Sequence, residues 1–200
     1  MNFSVNLNGH ELEYFDDVHI YLCDGVKMPS ITQLLNWKFG RRYADIDKDV
    51  LRRAAEAGTQ VHEAIEAFCT DGTESNLPEL RGFKFLKRMY KFTVRGNELP
   101  VLLCWTDGKP MAAGRMDMLI EINGQLGIAD IKRTSALNKA YLAYQLNLYR
   151  IAYMQTYGQK IEFLRGLHLR EDVRKFVRIP IEADMTFDFL QAYRKEHGYE

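Results

Sequence analysis

Apolar and polar residues alternate from the start of the chain. The runs "FSVNL", "ELEYF" and "VHIYL" each place apolar side chains at every second position, and Asn8-Gly9 separates the first two. Alternation of period two around an Asn-Gly pair predicts a hairpin with a two-residue turn, and Asp24-Gly25 closes the third run in the same way. The first thirty residues therefore predict a β-meander. Pro29 and Ser30 come next, and the Ser30 hydroxyl is placed to cap a short helix over "ITQLLNW".

From about residue 47 to 69 the period lengthens. Val50, Leu51, Ala54, Val61, Ile65 and Phe68 recur at helical spacing, with Gly58 inside the pattern. After the loop "DGTESNLPEL" come the basic stretch "RGFKFLKRMYKFTVR" and the strand-like "ELPVLLCW". Two alternating runs, "AGRMDMLIEI" and "QLGIADIKR", then flank Asn123-Gly124, a second hairpin signal. Helical periodicity returns over 138–157, "KIEFLRGLHLR" and "VRKFVRIP" form a further hairpin around Glu171-Asp172, and a last helix starts near Asp184. Without repeat, low-complexity tract or linker, the expectation is a single domain over 1–200. Its class is mixed α/β, a central mixed β-sheet flanked by helices.

Composition narrows the function classes. Hydrophobic residues are 46% and charged residues 27%, and no apolar run approaches the ~18 residues that span a bilayer. The first fifteen residues lack the basic start and apolar stretch of a secretory signal, so a cytoplasmic location is expected. Cys23, Cys69 and Cys104 are far apart and form no CxxC, which leaves no structural zinc site or four-cysteine iron–sulfur cluster to expect. With 27 basic against 27 acidic residues, any nucleic-acid role must rest on local charge.

The most informative stretch is "GIADIKRT". In a strand Asp130 and Lys132 point to the same face, with Ile131 turned away. A type I′ turn at Asn123-Gly124 sets the register so that Asp117 lies across from Asp130, and Arg115 across from Lys132. Met116, Met118 and Ile120 then form the core face. Like charges directly opposite are destabilising, and a divalent cation relieves them: two convergent carboxylates suit Mg²⁺ or Mn²⁺, which keep part of their water and accept phosphate oxygens. Such a metal beside a cationic pair is a site for phosphoryl chemistry. A register slip of one residue would abolish it.

At these residues the chain resembles the PD-(D/E)xK nuclease superfamily, in particular its RecB-type branch of phage exonucleases and the mitochondrial genome maintenance exonuclease. "GRMD" followed by "DIK" matches the core motif. "GTQVH" (residues 58–62) matches the branch's upstream GxxxH, and "QLNLY" (residues 145–149) its downstream QxxxY. "HIYLCDGVKMPSITQLL" is similar to its entry segment. The resemblance implies a restriction-endonuclease-like core with the meander as an elaboration. It also implies that His62, Asp117 and Asp130 hold a metal, with the Ile131 carbonyl as a further ligand. Lys132 would orient or help deprotonate the attacking water. Gln145 and Tyr149 would steady the site and touch the DNA strand. Arg133 departs from the pattern, standing where many relatives have threonine.

Other residues are judged singly. A missing side chain at Gly58 would let its helix approach the sheet so that His62 reaches the carboxylates, and a neutral imidazole is needed there, so activity should weaken in acid. Glu98 begins a strand, where an acid is ordinarily solvated, and it stays outside the metal set. Lys84, Lys87, Arg88 and Lys91 share one helix face, with Phe85, Met89 and Phe92 on an apolar face. These four cations, with Arg115 and Ser30, are the expected DNA contacts beside Gln145 and Tyr149. The sequence-level expectation is a Mg²⁺- or Mn²⁺-dependent deoxyribonuclease, a single-strand exonuclease without an iron–sulfur cluster. Its partners would be DNA and viral replication or recombination proteins, with no membrane. A structure-specific endonuclease or resolvase, and a non-catalytic DNA- or partner-binding protein on the same scaffold, are the alternatives.

Overall fold

A computed structural model describes residues 2–40 and 47–198. Four short strands form the meander: β1 (Phe3–Leu7), β2 (His10–Phe15), β3 (Ile20–Cys23) and β4 (Val26–Met28), joined antiparallel in that order. Its tight turns carry the predicted chemistry, with Asn8, Gly9, Asp24 and Gly25 all at positive φ as a type I′ hairpin requires.

Helix α1 (Ile31–Phe39) begins with a reciprocal cap. Ser30 Oγ accepts the Gln33 N–H at 3.1 Å, and the Ser30 N–H donates to Gln33 Oε1 at 2.9 Å. Ser30 also bridges Ala113 on β6 (Pro110–Ile122), and the Ala113 N–H donates to the Pro29 carbonyl at 3.1 Å. The meander is thereby tied to the main sheet. Helix α2 (Lys48–Asp71) is capped by Asp47 and stopped by Gly72 at φ 80°, the left-handed end that glycine adopts without steric cost.

The main sheet runs β5 (Thr93–Cys104), β6, β7 (Gln125–Lys132), β8 (Phe163–Arg170) and β9 (Val173–Ile179). Among the strands of this sheet, β7 and β8 pair in parallel and the other neighbours antiparallel. A parallel pair needs a crossover, and α4 (Lys139–Tyr157) supplies it, capped by Asn138 and ended by Gly158. The sheet is mixed and the class is mixed α/β, as the alternation of periods predicts.

Two apolar layers cover the sheet. On one face α2 and α3 (Pro78–Tyr90) bring Val61, Ile65, Leu80, Phe83 and Leu86 onto Met118, Ile120, Ala129 and Ile131. On the other, α1, α4 and α5 (Ala183–Glu196) pack Leu34, Leu142, Leu146, Tyr149 and Phe189 with Met116 and Ile128. Two expectations are corrected by these layers. The apolar face of α3 is Leu80, Phe83 and Leu86, each worth about 1.5–3 kcal/mol when fully buried, while Met89 is exposed. Met116 does not share a layer with Met118 and Ile120, because the alternation of β6 breaks at Asp117.

Gly114 sets how closely the helices approach the sheet. A Cβ there would lie 2.8 Å from Tyr149 Cε1 and 3.2 Å from Ile31 Cδ1, so its absence lets α4 and α1 close on β6. Gly114→Ala is expected to cost about 1–3 kcal/mol through overpacking, read as a lowered urea midpoint with unchanged slope.

Candidate active site

The β6–β7 ladder keeps the register set by its turn from Ile122–Gln125 out to Met118–Ala129. There the pairing stops. The next position on β6 is Asp117, whose Oδ2 accepts the Ile131 N–H at 2.7 Å. A side chain has taken the β7 donor, so the strands part. Arg115 consequently does not lie across from Lys132: it pairs with Pro100 on β5, and its Nε sits 2.6 Å from Glu98 Oε2.

On its other side β6 also skips a pair at Asp117. Asn97 pairs with Met118 and Leu99 with Met116, which leaves Glu98 facing Asp117 outside the ladder. Glu98 has φ 49°. A left-handed glutamate costs about 1–2 kcal/mol, and such strain is retained where the surrounding structure needs the side chain aimed.

His62, on α2, completes the group. Its Nδ1 is 3.7 Å from Asp117 Oδ2 and 3.8 Å from Glu98 Oε1, and donor atoms of His62, Glu98 and Asp117 all lie within 4.8 Å of one another. Nε2 lies 3.2 Å from the Ile131 carbonyl. With that nitrogen donating its proton, Nδ1 is the one left to bind a cation. The Ile131 carbonyl, expected as a ligand, accepts this imidazole N–H and keeps a second lone pair. Burial alone would lower the His62 pKa, but Asp117, then Glu98 and Asp130, outweigh it and raise it to about 9. A Cβ at Gly58 would meet nothing within 4 Å. Glycine there is not what lets His62 reach the carboxylates.

Asp130 and Lys132 do share a face, Nζ standing 2.5 Å from Oδ2. The Asp130 side chain is 2% exposed and its Oδ1 accepts no hydrogen bond. Burial raises the Asp130 pKa, with Lys132 opposing. Burial disfavours the Lys132 ammonium, yet the Asp130 and Asp117 carboxylates outweigh it and raise its pKa. Lys132 is therefore a fixed cation. Asp130 stands beside the three-donor group rather than inside it.

Gln145 and Tyr149 lie one turn apart on α4, both buried, facing this chemistry. Burial, then the charges of Asp117 and Asp130, hold the Tyr149 phenol protonated well above its usual range. Gln145 Oε1 is buried without a hydrogen-bond donor, which costs about 1–3 kcal/mol unless something polar meets it. Arg133, the departure from the family pattern, points elsewhere: its Nε is 2.8 Å from buried Glu79 Oε1 on α3.

The remaining expected contacts are not part of this cluster. Ser30 spends its hydroxyl on capping α1 and on Thr32, 2.8 Å away. Lys84, Lys87, Arg88 and Lys91 line a separate groove. Glu98 is the residue that sequence reasoning left out. The signal that would have found it is the β5–β6 register, which sets Glu98 against Asp117.

These oxygens and one imidazole suit a hard cation. Octahedral bonds of about 2.0–2.1 Å place neighbouring donors about 2.9 Å apart and opposite ones about 4.2 Å, and the two His62 separations fall between. In metal-free protein, His62 is expected to titrate near pH 9 by NMR. Because its folded pKa is raised, its contribution to stability is full below about 6.5 and lost as pH rises through about 9. Replacing Glu98 and Asp117 together by Gln and Asn should return the pKa to about 6.5 or below, since only burial and weaker charges remain. An unchanged value would refute the assignment.

No family model matches the chain, and no curated protein matches it. Among solved structures it is similar to the crystal structure of SSO0001, with 16% identity, a TM-score of 0.50, and coverage of 85% of this chain and 75% of that one. At that identity the likeness is one of fold alone, and it supports the α/β architecture.

Proposed function

We propose that this chain is a Mg²⁺- or Mn²⁺-dependent deoxyribonuclease of the PD-(D/E)xK type, cleaving phosphodiester bonds of single strands from a free end. The observation that carries the reading is the convergence of His62, Glu98 and Asp117 donors within 4.8 Å, beside a buried Asp130 paired to Lys132. Three carboxylates in one partly buried place repel one another, and a divalent cation removes that cost. The donor set holds no thiolate, which favours a hard oxygen-seeking ion over zinc.

His62, Glu98 and Asp117 would hold the ion, with Asp130 beside them holding Lys132 in place. When bound, the cation polarises the scissile phosphate and acidifies a water. The chain's own groups do the rest. Lys132, held charged, donates to the attacking water or to the phosphate oxygen on which charge develops. It orients that water rather than taking its proton, because an ammonium has no free lone pair. Arg115 neutralises one oxygen of Glu98 and leaves the other turned toward His62. Tyr149 and Gln145 bound the site from α4, where both are buried and support its wall from beneath.

Asp117→Asn, Asp130→Asn and Lys132→Ala are each expected to lower cleavage of linear single strands in Mn²⁺ by at least about 10²–10³-fold, with folding checked by thermal melting. Glu98→Gln should raise the Mn²⁺ concentration needed for half-maximal rate. Undiminished cutting by Asp130→Asn protein would remove the basis of the proposal. Circular single strands should survive digestion, and their cleavage would favour the endonuclease alternative.

A further inference from the structure

Away from the catalytic cluster, α2, α3 and β9 enclose an open groove of about 780 Å³. That is within the ~300–1,000 Å³ range of sites that take ligands. Its cations are Arg81, Lys84, Lys87, Arg88 and Lys91 from α3 and its end, and Arg174 from β9; among the described residues no acid lines it. Phe68, Phe85 and Phe92 form its apolar wall. We propose that this groove holds single-stranded nucleic acid, the backbone phosphates on its cations and the bases against its phenylalanine rings.

Charge comes first. Lys84, Lys87, Arg88 and Lys91 are neighbours at helical spacing, where like charges repel one another. Lys84 is offset by Glu74, with Nζ 2.6 Å from Oε1. Among the described residues, Lys87, Arg88, Lys91 and Arg174 have no carboxylate within 4 Å. A surface that keeps four such cations together is complementary to a polyanion.

The rings choose between polyanions. Arg174 lies 5.0 Å over the Phe85 ring, and Lys84 and Lys87 lie 5.1 and 5.7 Å over Phe68. A base stacked beside one of these pairs meets an aromatic face and a cation together, while its phosphate reaches the neighbouring lysines. An acidic peptide would use the charges alone. A duplex hides its base faces in the stack, so the combination fits a single strand.

Position gives the groove a purpose. Phe68 follows His62 by six residues on α2, about 9 Å along the helix axis at 1.5 Å per residue. Six residues also turn Phe68 about 120° around the helix from His62, so a strand whose end lies at His62 would pass partly round α2 to enter the groove. That purpose rests on the nuclease proposal, whereas the binding itself stands on the groove alone.

Fluorescence anisotropy with a labelled oligothymidine of roughly 12 nucleotides, in EDTA so that nothing is cleaved, tests it. Lys87→Glu/Arg88→Glu is expected to bind at least about tenfold more weakly. Its slope of log affinity against log salt should fall by about 1.4, near 0.7 for each lost contact. Arg174→Glu, on a strand surface, should weaken binding in the same direction. Phe85→Leu should weaken oligonucleotide binding at least about fivefold while leaving heparin binding unchanged. Wild-type affinity in both charge variants, with melting curves showing folded protein, would overturn the proposal. So would a Phe85→Leu protein that binds oligonucleotide normally, since the groove would then serve a polyanion or acidic partner without reading bases. Asp130→Asn should bind the oligonucleotide fully and fail to cut it. If wild-type protein cuts nothing in Mn²⁺ yet the groove variants lose binding, the nuclease proposal falls and this one stands.

Discussion

Asp117 sits where the β5–β6 ladder skips a pair and the β6–β7 ladder ends, and its carboxylate takes the Ile131 N–H that a regular sheet would use for strand pairing. Several features depend on that exchange. It separates β6 from β7, so that Asp130 and Lys132 lie at an open seam rather than within a closed ladder. It leaves Glu98 opposite Asp117 in a left-handed conformation. It also ties the carboxylate to a backbone donor, which holds it in place for His62. A charge-assisted hydrogen bond of this kind is stronger than the neutral strand bond it replaces. The sheet therefore gives up regularity at one point and gains a fixed acidic group.

Electrostatics then decide what that group can do. Glu98, Asp117 and Asp130 are compensated in the metal-free protein by Arg115, His62 and Lys132, each positioned by a different element. The compensation is uneven. Arg115 and Lys132 stay charged across the physiological range, whereas His62 is charged only below about pH 9. A divalent cation would take over the role of the imidazolium, and the proton it releases couples metal affinity to pH. For the proposed nuclease, weakening in acid would then have a physical cause beyond the ordinary imidazole pKa.

Much of this architecture was legible in local chemistry. Asn-Gly and Asp-Gly pairs placed the hairpins and the Ser30 cap marked the start of α1, because turns and caps are decided within a few residues, while periodicity placed α2 and α4. The β6–β7 register followed from Asn123-Gly124 as far as Met118. It failed one pair later, since counting outward from a turn assumes that backbone groups bond only to each other. Glu98 was illegible for a similar reason: β5 and β6 form a hairpin through the turn at 105–109, but the register shifts between Leu103 and Cys104, so counting outward from that turn misplaces Glu98 by one position. The apolar face of α3 was misjudged at Met89, which is exposed; Phe85 and Phe92 do pack against the core, beside the fully buried Leu80, Phe83 and Leu86 that the basic stripe had obscured. Gly58 suggested a close approach that the structure does not require.

Crystals soaked in manganese and measured at the metal's absorption edge test most directly whether the acids around Asp117 are arranged to share a cation. A strong anomalous peak about 2.0–2.3 Å from an Asp117 oxygen, in contact with Glu98 and His62 Nδ1, is the expected result. Fully occupied manganese elsewhere, with the Asp117 group bare and Lys132 still closed on Asp130, would contradict it.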